Sequence, residues 1–261
     1  MIDSVSAYLT NTEFDFAIRP SEELDHGHSS ILFVMHDRGS NEQEALDTVA
    51  PLIGPLVTIV SIRGPVQIGA NSFAFYDRRE ETVISGKSNV SHAQVLDLRP
   101  RLDKFINRPR PVRVEAAILG IGEGGTAVAS LALYGGSAPH LFLSINGALW
   151  QATDQEMDEA WISHEVGGEQ LAKTVAPYTH CFVAYGRQDP LYPRQCALDV
   201  CDAIDRVRRR LSFHAYSDMG RTPSEECFQD IRQWLRQCSR GMIYKGAVVG
   251  TEESDSRDPE E

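Results

Sequence analysis

The 261-residue chain carries 25 Lys and Arg against 37 Asp and Glu, a formal net charge of −12, and no basic stripe offsets that charge, which excludes a nucleic-acid role. Five cysteines (Cys181, Cys196, Cys201, Cys227 and Cys238) form no C-x-x-C pair, which argues against a disulfide framework or a zinc site and for a reducing compartment. No signal-peptide pattern opens the chain and no stretch approaches the roughly 20 apolar residues of a membrane span, so the expectation is a cytoplasmic protein that binds a small molecule without cofactor, metal or membrane and with room for a homodimer.

In chain order, residues 14–19 read as an antiparallel edge strand. Short apolar runs at 31–35, 56–62, 112–119, 141–145, 180–185 and 211–216 predict further strands. Most are continuous rather than alternating, as for strands covered on both faces. Helical patterns at 42–52, 91–107, 124–134, 194–208 and 224–238 fall between them. Strand–helix alternation implies an α/β protein with a doubly wound, mostly parallel sheet and right-handed crossovers. One domain over residues 1–240 is expected. Within it, the polar stretch 152–173 is either a small cap or lid over a pocket or a surface excursion. Residues 241–261 are acidic and poor in apolar groups, the composition of a disordered tail.

In open α/β sheets, ligands sit at the carboxyl ends of the strands. One such end reads Ile118-Leu119-Gly120-Ile121-Gly122-Glu123-Gly124-Gly125. This is the strand–turn–helix context of the G-x-S-x-G nucleophile elbow, in which a sharp turn lifts a serine hydroxyl into a site. The central position is Gly122, which has no side chain. Two histidines in Asp25-His26-Gly27-His28 lack a third ligand at a metal-site spacing.

Six segments taken together resemble the phospholipase/carboxylesterase branch of the α/β-hydrolase family, with its acyl-protein thioesterase-like and dienelactone-hydrolase-like members. His36-Asp37-Arg38-Gly39-Ser40-Asn41-Glu42 is similar to the family's H-G-R-G-G-N-E loop, and Ser61-Ile62-Arg63-Gly64-Pro65 to its S-P-R-G-P segment. Ser72-Phe73-Ala74-Phe75-Tyr76-Asp77 falls at its aromatic R-W-F-D stretch, and Gly120-Ile121-Gly122-Glu123-Gly124-Gly125 at G-F-S-Q-G-G. Tyr185-Gly186-Arg187-Gln188-Asp189-Pro190 resembles H-G-x-x-D-P, and Tyr216-Ser217-Asp218-Met219-Gly220-Arg221 falls at Y-x-x-x-G-H.

The resemblance implies the α/β-hydrolase fold, and its triad positions hold Gly122, Asp189 and Arg221. Gly122 cannot form an acyl-enzyme, and an arginine is always protonated near neutral pH, so it cannot act as general base. The resemblance also implies oxyanion-hole N–H groups from Arg38 and Glu123. Asp37 replaces the glycine of the first loop and would oppose negative charge there unless it turns away or Arg38 neutralises it.

The remaining residues carry paired readings. Arg221 either forms an ion pair with Asp189 or offers its fork to a ligand carboxylate. Glu123 is either structural or an acid–base group, and His36 either a structural hydrogen-bonder or a titrating one. Arg38 and Gly122 join Phe75, Tyr76, Trp150 and Tyr192 as a substrate-binding wall, the aromatics being equally compatible with core packing. Three functions follow. The leading one is an atypical, non-esterolytic enzyme that uses Glu123, Arg221, Asp189, His36 and Asp37 for acid–base cyclisation, elimination or rearrangement of a small carbonyl or carboxylate compound. The second is an inactive relative that binds a ligand or a partner. The third is a hydrolase whose water is activated by a carboxylate.

Overall fold

A computed structural model describes residues 13–22, 29–77, 83–84, 87–107, 114–134, 141–151, 179–206 and 210–238. The expected cap at 152–173, the tail at 241–261 and the pair His26 and His28 lie outside these residues. The chain alternates strands and helices as its apolar runs predict. Strands β1 (Phe16–Arg19) and β2 (Ser29–Met35) precede helix α1 (Glu42–Ile53), and β3 (Thr58–Ile62) follows it. Two short strands, β4 (Val66–Gly69) and β5 (Ser72–Ala74), form a hairpin, and β6 (Val83–Ile84) and β7 (Lys87–Ser91) another. Then come α2 (His92–Ile106), β8 (Val114–Ile121), α3 (Glu123–Tyr134), β9 (Leu141–Ile145) and β10 (Leu149–Gln151). The last elements are β11 (His180–Gly186), α4 (Arg194–Arg206), β12 (Arg210–Tyr216) and α5 (Glu225–Cys238).

Seven strands make one sheet in the order β1-β3-β2-β8-β9-β11-β12. All neighbours in it are parallel except β1, which runs antiparallel along β3 with Phe16 opposite Ile62. The edge strand expected at 14–19 is therefore present. Side chains alternate across each strand, and the two faces fill two cores. Ile31, Phe33 and Met35 of β2 join Val95 and Leu98 of α2, Val128 of α3 and Val200 of α4 on one face. Leu32 and Val34 join Leu46 and Val49 of α1 and Phe228 and Ile231 of α5 on the other. Helices on both faces explain the continuous apolar runs: every residue of β3 and of β9 is buried.

The small hairpins and the three-stranded sheet β10-β7-β6 were not expected. Their strands span two to five residues. Runs so short carry no sustained alternation, and their pairing is set by what they pack against. The β4–β5 hairpin is tied to α1 by Asn41. Its side chain caps the helix, accepting from Gln43 N at 3.0 Å and Glu44 N at 2.9 Å, and donates to Asn71 O at 3.1 Å. Because Asn41 is buried and joins two elements, Asn41→Ala is expected to lower unfolding stability by about 1–2 kcal/mol in urea titrations.

Candidate functional site

Strands β2, β8, β9, β11 and β12 end on one side of the sheet, so the loops beginning at His36, Gly122, Asn146, Arg187 and Ser217 converge. The turn between β8 and α3 has the elbow geometry. Gly122 has φ +57°, a conformation that costs an L-residue about 1–2 kcal/mol and glycine almost nothing. Its N–H donates to Ile145 O at 2.9 Å, and its carbonyl accepts from Thr126 N at 3.1 Å to start the helix. Gly124 is needed for a different reason: a Cβ there would strike the carbonyl oxygens of Met35 and His36, so α3 could not approach β2.

The space above Gly122 is filled by Asp37. A Cβ at position 122 would collide with the Asp37 carboxylate. Asp37 Oδ1 accepts from Arg38 N at 2.7 Å and from Glu123 N at 3.0 Å. These are the two N–H groups expected to receive an oxyanion. Asp37 Oδ2 accepts from Arg221 Nε in an ion pair. The side chain of Asp37 is 12% exposed and that of Arg221 36%. Asp37 thus neither turns away nor relies on the Arg38 side chain for neutralisation. It lies against both of these N–H groups, at the positive N-terminus of α3, with Arg221 as its counter-ion.

The expected ion pair between Arg221 and Asp189 is replaced by this one. Asp189 Oδ1 accepts from Leu191 N at 2.8 Å and Tyr192 N at 3.1 Å, closing its own turn. Asp189 Oδ2 is buried with no hydrogen-bond partner among the described residues. Burial raises the Asp189 pKa, the Arg221 charge lowers it, and the Asp37 charge raises it. Asp189 therefore shares a field with the Asp37–Arg221 pair without bonding to it.

Glu123 and His36 are engaged elsewhere. Glu123 is fully buried. Its Oε1 accepts from Phe75 N and Tyr76 N, both at 2.8 Å, and its Oε2 faces Arg38 Nη1 at 3.4 Å. The Arg38 side chain also donates to Tyr76 O at 3.2 Å. Glu123 so clamps the segment after β5 onto the elbow. His36 Nε2 accepts from Gly64 N at 2.9 Å, so the proton sits on Nδ1, which donates to Asp37 O at 2.7 Å. Both nitrogens hold backbone, and burial pulls the ring's pKa below its ordinary value.

Phe75, Tyr76 and Trp150 are buried in the core that includes Met35 and Val95, and Tyr192 packs with Ala148 and Cys196. Their surroundings are those of core packing, the alternative left open by the sequence. Sequence reasoning missed Asn146. Its φ of +50° is rare for a non-glycine residue. Its Oδ1 accepts from Gly186 N at 2.8 Å, and its Nδ2 donates to Gly220 O at 2.9 Å and Arg221 O at 3.2 Å. Asn146 thereby joins the ends of β9 and β11 to the loop that carries Arg221. The available signal was an Asn-Gly pair directly after the apolar run of β9, a dipeptide that tolerates left-handed backbone.

No family model matches this chain, and no curated protein matches it. Its architecture is similar to many solved structures. A carboxylesterase from Bacillus cereus is 14% identical with a TM-score of 0.66, the match covering 90% of this chain and 99% of that one. Acyl-protein thioesterase 2 from Zea mays is 14% identical with a TM-score of 0.66, covering 85% and 98%. The structure of YahD with malic acid is 15% identical with a TM-score of 0.61, covering 87% and 100%. The fold is the α/β-hydrolase fold, with five helices among the described residues around the seven-stranded sheet.

Two measurements test this geometry. Gly122→Ala and Asp37→Gly should each lower unfolding stability by about 1–3 kcal/mol, the first by ejecting the carboxylate and the second by deleting it. The double variant should lose at least about 1 kcal/mol less than the two losses added together, because one interaction is removed twice. Full additivity would contradict the contact. Separately, His36 has a folded pKa below its ordinary 6.5, so the unfolded state binds the proton first. Its contribution is intact above the unfolded value and is lost as pH falls below it. NMR should find no protonation of the His36 ring on passing that pH, and His36→Gln should flatten the acid limb of the stability curve.

Proposed function

We propose that this chain is a non-hydrolytic relative of the esterases whose fold it shares, a protein that binds a small carboxylate-bearing molecule instead of cleaving an ester. One observation carries the reading: Asp37 Oδ1 takes both N–H groups that an ester's oxyanion would need. A tetrahedral intermediate placed there would meet a resident negative charge instead of donors. The nucleophile position is glycine and the base position arginine, so neither partner of a serine mechanism is available. Glu123 Oε1 and both nitrogens of His36 are committed to backbone groups, and Glu123 Oε2 faces the Arg38 guanidinium, which weakens the acid–base enzyme as the leading reading. The solved structure of YahD with malic acid offers a small carboxylic acid as precedent within this fold.

A second reading, an acid–base enzyme, is favoured by Asp189. A buried carboxyl with a raised pKa and one unbonded oxygen is the kind of group that exchanges a proton with a ligand. It moves the proton-transfer role from Glu123 and His36 to Asp189.

Ester assays separate the readings. The purified chain should turn over p-nitrophenyl esters at background, and Gly122→Ser alone should stay there because Arg221 cannot deprotonate the new hydroxyl. Gly122→Ser with Arg221→His should remain about a hundredfold less active than the same pair with Asp37→Gly added, since a displaced Asp37 carboxylate keeps its negative charge beside the developing oxyanion and only the triple variant removes it. Robust turnover by the wild type that vanishes in Glu123→Gln would instead establish a carboxylate-activated hydrolase.

A further inference from the structure

Resting on the reading that this centre binds rather than hydrolyses, we infer that its ligand is a small carboxylic acid that also bears an ammonium or hydroxyl donor, and that Asp37 is the internal carboxylate this ligand displaces. The carboxylate half of the site is already assembled and in use. Arg38 N and Glu123 N bind one oxygen of Asp37, and Arg221 binds the other. A ligand carboxylate placed there would meet the same three donors and leave the charge balance around Arg221 unchanged. Gly122 supplies the room, because any Cβ at that position would occupy the carboxylate's space. The centre reaches the surface at Arg221, whose side chain is 36% exposed.

The donor half is read from Asp189. This residue is 6% exposed, its Oδ1 is spent on two backbone N–H groups, and its Oδ2 has no partner among the described residues. Its turn is bonded to the loop that carries Arg221, Gln188 N donating to Met219 O at 3.0 Å, and its carboxyl feels the charges of both Arg221 and Asp37. A buried carboxylate oxygen left unbonded is unfavourable, and an N–H or O–H brought in by a ligand removes that cost. A plain carboxylate satisfies the three donors and leaves Asp189 as it is. An acid with a donor satisfies both ends, which is how the site would discriminate.

Calorimetric titration of the full chain with ω-amino and ω-hydroxy acids of two to four carbons, against acetate, propionate and butyrate, tests both halves. Asp37→Ala should bind the best donor-bearing acid at least about tenfold more tightly than wild type does, because the internal competitor is gone. In that background the same acid should exceed its unsubstituted counterpart about tenfold, and adding Asp189→Asn should erase the preference of the amino acids, since an ammonium cannot accept from an amide. If Asp37→Ala does not fold, Asp37→Asn keeps the shape without the charge and should show the same order. Absence of binding in these variants, equal affinity for acids with and without a donor, or wild-type affinity equal to that of Asp37→Ala would each overturn the inference. Ester turnover measured on the same preparations reports separately on the non-hydrolytic reading, so the two can fail independently.

Discussion

A carboxylate held against two backbone N–H groups and one guanidinium organises this centre. Asp37 is almost wholly removed from water, and a charge in that position is tolerated only when its oxygens are bonded. Oδ1 is satisfied by donors from two loops, the one after β2 and the one between β8 and α3, and Oδ2 by a third, after β12. The three loops are fixed relative to one another by a single side chain. Removing the carboxylate would strand two N–H groups at a helix N-terminus, and removing Arg221 would strand the charge.

The neighbouring polar residues make sense as supports of that arrangement. Glu123 spends its carboxylate on the two N–H groups after β5, which holds the hairpin segment against the elbow. His36 bridges the β2 loop to Gly64 and is held neutral by the donor it meets. Asn146 performs the same task across β9, β11 and the Arg221 loop. These groups are turned toward backbone, except that Glu123 Oε2 faces the Arg38 guanidinium, so they serve as supports of the loops they join. Asp189 departs from the pattern, with one oxygen bonded and the other not.

Much of the fold was legible because burial on both sheet faces leaves a plain mark. The β3 segment Thr58–Ile62 and the β9 segment Leu141–Ile145 are apolar runs too short for helices, and each is followed or preceded by helical periodicity. The boundaries moved by one to two residues: β8 runs to Ile121, and α3 starts at Glu123. The short strands of the hairpins were not legible, since their pairing depends on contacts far away in the chain. Of the site, the turn at Gly122 and the convergence of the Arg38 and Glu123 N–H groups follow the motif order. The partners do not. Arg221 stood in register for Asp189, yet it reaches Asp37, 184 positions away in the chain.

The sequence by itself determined the doubly wound sheet, the glycine at the elbow and the concentration of charge around it, because apolar periodicity and residue identity are local properties. Only the tertiary structure decided that Asp37 accepts from both the Arg38 and Glu123 N–H groups, that Arg221 serves Asp37 rather than Asp189, and that Glu123 and His36 hold neighbouring loops. Those outcomes depend on which donors lie within about 3 Å of a carboxylate oxygen. Such distances are set when separate strand ends are brought to one edge of the sheet, and no spacing along the chain encodes them.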